Sequence, residues 1–187
     1  EDANSLSIAQ KNTCYWLIDP LDGTREFISK NGQFTVNLAL IEDKKTNFGL
    51  VGEPVANMVY WGGNKLGAFK QEQSTANTIC AIKCVKAQQP IRVLASKSHL
   101  NEATNQLINE LGPSTLIQAG SSLKFIRIAQ GLADYYPRLA PTCEWDTAAA
   151  QAVLEGAGGS VRQASGEAMI YGKINILNPY FIALGLN

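Results

Sequence analysis

The sequence has little of several things, and each shortage narrows its chemistry. Histidine occurs once, as His99, and cysteine four times, as Cys14, Cys80, Cys84 and Cys143. Cys80 and Cys84 have a spacing that could serve a metal, but no second cysteine pair and no nearby histidine completes a zinc site. These thiols read as reduced and mostly buried, as in a cytoplasmic protein. Excess charge is missing too: 16 Lys+Arg balance 16 Asp+Glu. A zero net charge argues against a general grip on a nucleic-acid polymer, though a few local cations could still hold a small phosphorylated ligand. No apolar run approaches the roughly 20 residues of a membrane-spanning helix. The opening Glu1-Asp2-Ala3-Asn4 is acidic and polar, unlike a secretory leader. It also lacks an initiator Met, so the chain is expected to be a fragment.

What is present is a soluble-type apolar content in 187 residues, enough for one substantial domain or two packed lobes. Tyr15 to Ile18 is a short apolar run ending at Asp19 and reads as a buried strand. Thr24 to Ile28 reads as a short helix. Strands are expected at Phe34–Ile41, Phe48–Val51, Met58–Trp61 and Lys65–Phe69, joined by tight turns, as in an antiparallel or mixed sheet. After Pro90 the pattern alternates. Strands at Ile91–Ala95, Thr115–Ala119, Ala133–Tyr136 and Ser160–Arg162 are separated by helices at Asn101–Leu111, Ser121–Gln130 and Thr147–Leu154. The reading is a layered α/β architecture, with a strand-rich lobe over 1–88 and an α/β lobe over 89–187.

Chemistry concentrates at Asp19-Pro20-Leu21-Asp22-Gly23-Thr24. Pro20 fixes one φ angle, and a strand end followed by such a turn can aim both carboxylates at one point. Mg²⁺ is a hard cation that takes oxygen ligands in near-octahedral geometry. Two carboxylates and a backbone carbonyl such as that of Leu21 suit it. Gly23 allows close backbone approach, and the N–H groups that follow could face an anion. The alternative is an ordinary strand-to-helix turn, since Asp-Gly is a common turn pair. A haloacid-dehalogenase-type phosphatase fits less well, because that pattern puts one residue between its two aspartates and here there are two. Asp146 stands where an Ala-rich helix should begin; it reads either as an N-cap or as a further metal ligand.

Two segments together resemble the signatures of the inositol monophosphatase superfamily: Trp16-Leu17-Ile18-Asp19-Pro20-Leu21-Asp22-Gly23-Thr24 and Trp145-Asp146-Thr147-Ala148-Ala149. Arg25-Glu26-Phe27-Ile28, Asn31 to Asn37 and Leu177-Asn178-Pro179 resemble the CysQ-type 3'(2'),5'-bisphosphate nucleotidases within it. The resemblance implies an αβαβα sandwich and a Mg²⁺-dependent phosphomonoesterase with two or three ions, inhibited by Li⁺, that uses a metal-activated water. It implies Asp19, the Leu21 carbonyl, Asp22 and Asp146 as metal ligands, and Gly23 and Thr24 at the scissile phosphate. Ser121-Ser122-Leu123-Lys124, Tyr136-Pro137-Arg138 and Ser96-Lys97-Ser98-His99 resemble nucleotidase segments, so that Ser121, Lys124, Arg138 and His99 are expected to meet the substrate. Lys124 and Arg138 suit a second, non-scissile phosphate. The implied substrate is adenosine 3',5'-bisphosphate; inositol or sugar phosphates, or nucleotide binding without catalysis, are the alternatives. The implied location is cytoplasmic, either free or peripheral to the inner face of the inner membrane. The family pattern places two helices and a Glu-Glu pair upstream, with Glu1 aligned to the second Glu. The chain alone is therefore expected to be weakly active or inactive and to leave one face of its first sheet uncovered.

Overall fold

The computed structural model describes residues 13–73, 78–95 and 101–186. His99 and its neighbours, like Glu1 and Asp2, lie outside the described residues.

Six antiparallel strands follow one another along the chain and across the first sheet: β1 (Cys14–Asp22), β2 (Thr35–Glu42), β3 (Lys45–Glu53), β4 (Met58–Gly63), β5 (Gly67–Glu72) and β6 (Ile79–Ala81). A short helix, α1 (Thr24–Ile28), interrupts the meander after β1. The β2–β3 connection is a two-residue turn, Asp43-Lys44, with both residues at positive φ (48° and 63°). That backbone twist matches the flanking strands.

The second half alternates. It contains β7 (Ile91–Ala95), α2 (Glu102–Glu110), β8 (Ser114–Gln118), α3 (Leu123–Ala129), β9 (Tyr135–Arg138), α4 (Ala148–Gly156), β10 (Ser160–Gln163) and β11 (Phe181–Leu184). Its strands form a mixed sheet in the order β10-β11-β9-β7-β8. Asn101 caps α2, its side-chain oxygen accepting the Thr104 N–H at 2.8 Å.

The core lies where the second half packs on the first. Helix α4 is buried from Ala148 to Leu154 and rests against β2, β3, β4 and β5. One row of paired residues across that sheet face reads Leu17, Ala39, Gly49, Gly62, Ala68. Small side chains there admit a helix made largely of alanine. At Gly49 the approach is so close that a Cβ would stand 2.0 Å from the Ala149 carbonyl oxygen. Helix α3 packs beside α4 and is buried at Leu123, Phe125, Ile126 and Ile128, each contributing about 1.5–3 kcal/mol on burial. Phe125, Tyr136 and Phe181 join α3 to the second sheet, with ring centroids 5.3–5.7 Å apart. Ile108 of α2 packs with Val93 and Tyr135 in a separate small cluster. The layers are thus sheet, helices, sheet, helix.

The opposite face of the first sheet is apolar and, among the described residues, half-buried at its centre and exposed along β1. Its central row runs Ile18, Leu38, Leu50, Trp61, Phe69 across five strands. Trp16 is 53% and Ile18 57% exposed there.

The expected elements are found, with shifted bounds. Helix α3 begins at Leu123 rather than Ser121, because Ser121 has a positive φ of 38° and belongs to the preceding turn. Strand β1 runs past Asp19 to Asp22 instead of stopping at the first aspartate.

Candidate active site

The extension of β1 explains how two aspartates three residues apart share one face. In a regular strand they would point to opposite sides. Asp19 pairs with Asn37 and Asp22 with Thr35, so three steps along β1 match two along β2. This bulge restores the parity, and both carboxylates turn toward the interior with Thr35 and Asn37. Gly23, at φ 87°, then turns the chain into α1, a conformation that glycine adopts without strain.

Asp146 comes from the other half. It closes a single 3₁₀ turn, Glu144–Asp146, and its Oδ2 accepts the Cys143 N–H at 2.7 Å. It therefore caps that turn backwards and is not the N-cap of α4, which Thr147 precedes. Asn178 holds the same turn by donating to the Cys143 carbonyl oxygen (2.6 Å) and to the Thr147 hydroxyl oxygen (3.0 Å).

Asp19, Asp22 and Asp146 converge, each offering a carboxylate oxygen, with those oxygens within 4.8 Å of one another. Each has one oxygen held by protein donors. Leu21 N–H donates to Asp19 Oδ1 at 3.0 Å. Ser122 donates to Asp22 Oδ2 through its N–H (2.7 Å) and its hydroxyl (2.6 Å), and Cys143 N–H binds Asp146 Oδ2. The remaining oxygens, Asp19 Oδ2, Asp22 Oδ1 and Asp146 Oδ1, have no protein donor among the described residues. Burial, reinforced by the Asp22 and Asp146 charges, pushes the Asp19 carboxyl up to about 6. Burial and the Asp22 charge also raise Asp146. A buried cluster of like charges with three free oxygens fits a hard divalent cation.

A cavity of about 210 Å³ opens beside this cluster and is lined by Asp22, Gly23, Thr24, Ser121, Lys124, Arg138 and Asp146, with Arg25, Glu26 and Thr142 also on its wall. Lys124 is buried; its ammonium donates to the Ala119 (3.3 Å) and Ser121 (2.9 Å) carbonyl oxygens and meets no carboxylate within 4.0 Å among the described residues. Burial lowers its pKa to about 8, and the Arg138 charge adds to this. Arg138 donates to the Pro141 carbonyl oxygen at 3.2 Å, while its buried Nε has no partner. One wall of the cavity is thus acidic, and the other carries two cations that form no ion pair among the described residues.

Of the residues named from the sequence, the structure gathers Asp19, Asp22, Gly23, Thr24, Ser121, Lys124, Arg138 and Asp146. Leu21 stands between the first two aspartates, and His99 lies outside the described residues. Sequence reasoning gave no role to Ser122, Asn37 and Thr35, which hold the Asp22 carboxylate, or to Asn178, which holds the turn that bears Asp146. The alternation of Thr35 and Asn37 along β2 was the available signal, since both are polar on the inward face.

The sequence matches the inositol monophosphatase family over residues 1–181. The chain belongs to that family. Among curated inositol monophosphatase relatives, 3'(2'),5'-bisphosphate nucleotidase CysQ of Salmonella typhimurium is 40% identical over 97% of this chain and 72% of its own length. CysQ of Buchnera aphidicola is 35% identical, over 100% of this chain and 70% of its own. Among solved structures of the family, CysQ from Bacteroides thetaiotaomicron superposes with a TM-score of 0.87 at 36% identity, covering 97% of this chain and 73% of that one. An inositol monophosphatase from Zymomonas mobilis, at 22% identity and a TM-score of 0.78 over 95% of this chain and 67% of its own, shares the fold.

Proposed function

We propose that this chain carries the site of a Mg²⁺-dependent phosphomonoesterase that removes the 3'-phosphate of adenosine 3',5'-bisphosphate, giving AMP and inorganic phosphate. The observation that carries the reading is one cavity beside the acidic trio, with Lys124 and Arg138, in no ion pair among the described residues, on its other wall. A substrate with two phosphates answers both walls. The relatives named as bisphosphate nucleotidases support the same substrate class.

Asp19, the Leu21 carbonyl, Asp22 and Asp146 are the residues that would hold two or three Mg²⁺, and Li⁺ would compete there. When bound, Mg²⁺ supplies positive charge against the phosphoryl oxygens and activates water as the nucleophile. The chain's own residues do the rest. Gly23 and Thr24 sit next to Asp22 at the cavity wall and present backbone and hydroxyl donors to the scissile phosphate. Lys124 and Arg138 bind the 5'-phosphate and set the ester bond against the acidic trio. Ser121 lines the same cavity, and His99 is assigned to the nucleoside end from sequence alone. The bond from phosphorus to the 3'-oxygen breaks, a bond from phosphorus to a water oxygen forms, and the 3'-oxygen takes up a proton.

The test is phosphate release from adenosine 3',5'-bisphosphate and from inositol monophosphate, with and without Mg²⁺. The expected result is Mg²⁺-dependent release, weak for this chain alone, that favours the bisphosphate, is lost in Asp22→Asn, and shows a raised KM in Lys124→Met. Equal rates on both esters, unmoved by Lys124→Met, would reject the bisphosphate reading.

A further inference from the structure

The turn Gly120-Ser121-Ser122 comes from the second half of the chain yet docks on the metal-facing end of the first. Gly120 N–H donates to Gln33 Oε1 at 2.8 Å, and the Ser121 hydroxyl donates to the Gln33 carbonyl oxygen at 2.9 Å. A Cβ at Gly120 would stand 2.6 Å from Glu26 Cγ and 2.9 Å from the Gln33 carbonyl oxygen, so only glycine lets the turn seat this closely. Ser121 accepts a positive φ of 38° in the process. The result is that Ser122 faces Asp22 with both of its donors.

Ser122 is 1% exposed, and its hydroxyl meets three partners. It lies 2.6 Å from Asp22 Oδ2, 3.1 Å from the Asp146 carbonyl oxygen and 2.9 Å from Asn37 Nδ2, which donates to it. A hydroxyl has one proton, and the shorter, charge-assisted contact to Asp22 takes it. Asn37 Nδ2 (3.3 Å) and the Thr35 hydroxyl (3.2 Å) approach the same Asp22 oxygen. Oδ2 is therefore saturated, and only Oδ1 is left to a cation. Ser122 thus lies against both the Asp22 carboxylate and the turn that bears Asp146.

We propose that Ser122 is a positioning residue for the metal centre: by donating to Asp22 Oδ2 through both its N–H and its hydroxyl, it fixes which oxygen of Asp22 faces the cation. The proposal rests on the metal-site reading above, and it goes beyond it by assigning a role to a residue that touches neither substrate nor metal. Groups that orient metal ligands from behind typically change metal affinity by about 10–100-fold when removed.

The experiment measures Mn²⁺ binding to the chain by EPR without substrate, for the unaltered protein, Ser122→Ala, Ser122→Thr and Asp22→Asn, alongside urea unfolding of each metal-free variant. Ser122→Ala is expected to weaken Mn²⁺ about 10–100-fold, and Ser122→Thr, which keeps the hydroxyl, to recover most of that loss. The Mg²⁺ concentration for half-maximal phosphate release should rise by a similar factor. A purely structural role would lower metal-free stability and leave the Mn²⁺ affinity of the folded protein unmoved. Unchanged affinity in Ser122→Ala, with binding lost in Asp22→Asn, overturns the proposal while leaving the metal site intact. Unchanged affinity in Asp22→Asn removes the metal-site reading and the proposal with it. If Ser122→Ala does not fold, Ser122→Cys serves the same comparison, because a thiol fills the space but donates only weakly.

Discussion

Each carboxylate of the acidic trio spends one oxygen on the protein and keeps one back. Without a cation this arrangement is electrostatically costly, because burial and neighbouring like charge raise Asp19 to about 6. Asp19→Asn keeps an oxygen for the Leu21 N–H but removes the charge. It should raise the metal-free stability by about 1 kcal/mol in urea unfolding, the usual exchange of function for stability. The same substitution should lower Mg²⁺-dependent phosphate release at least ~1,000-fold, since several kcal/mol of charge stabilisation is lost. Lys124 gives the matching prediction on the cationic wall. Its pKa is lowered to about 8, chiefly by burial, so its charged fraction falls as pH rises through that value. KM for a bisphosphate substrate should therefore climb above pH 8, and the climb should vanish in Lys124→Met. A pH series of initial rates in both proteins checks this.

At the scale of elements, the site depends on a helix seated on a row of small residues. The Ala-rich run from Ala148 was legible as a helix, since alanine favours it and Gly156 lies at its end. That Gly49 of β3 receives its backbone was not legible, because no local pattern connects residues a hundred positions apart. Gly49→Ala would place a methyl group 2.0 Å from the Ala149 carbonyl oxygen. Backbone cannot yield there as a flexible side chain would, so the substitution should cost about 3 kcal/mol. Urea unfolding measures it, and a loss below ~1 kcal/mol would mean that α4 can slide on the sheet. Because α4 follows Asp146 directly, such sliding would also move that carboxylate relative to Asp22.

At the scale of the whole molecule, one face of the first sheet has no described layer packed on it and is exposed along β1. Ile18, Leu38, Leu50, Trp61 and Phe69 form a continuous apolar row, with Trp16 beside it stacked edge-on to Phe48 at 6.4 Å. Exposed apolar area of this kind promotes association. The chain should show concentration-dependent self-association by analytical ultracentrifugation, and Trp16→Ser with Ile18→Lys should shift it toward monomer. A monomer at all concentrations up to about 100 μM, well within the range where such faces associate, would show that the face is satisfied in some other way.

The sequence by itself determined most of the elements and which side chains were candidates for the site. The Asp-x-x-Asp-Gly-Thr and Trp-Asp segments, the alternation along the strands and the alanine run are local patterns, and local patterns follow from spacing and side-chain type. Only the tertiary structure decided which oxygen of each aspartate is free, that a bulge turns Asp19 and Asp22 to one face, and that Ser122 holds Asp22 while Asn178 holds the Asp146 turn. These depend on contacts between segments from 13 residues (Asp22 with Thr35) to 100 residues (Asp22 with Ser122) apart, whose geometry is set by how α4 packs on the first sheet and α3 beside α4. A sequence names the groups that can meet, but packing chooses the atoms that do.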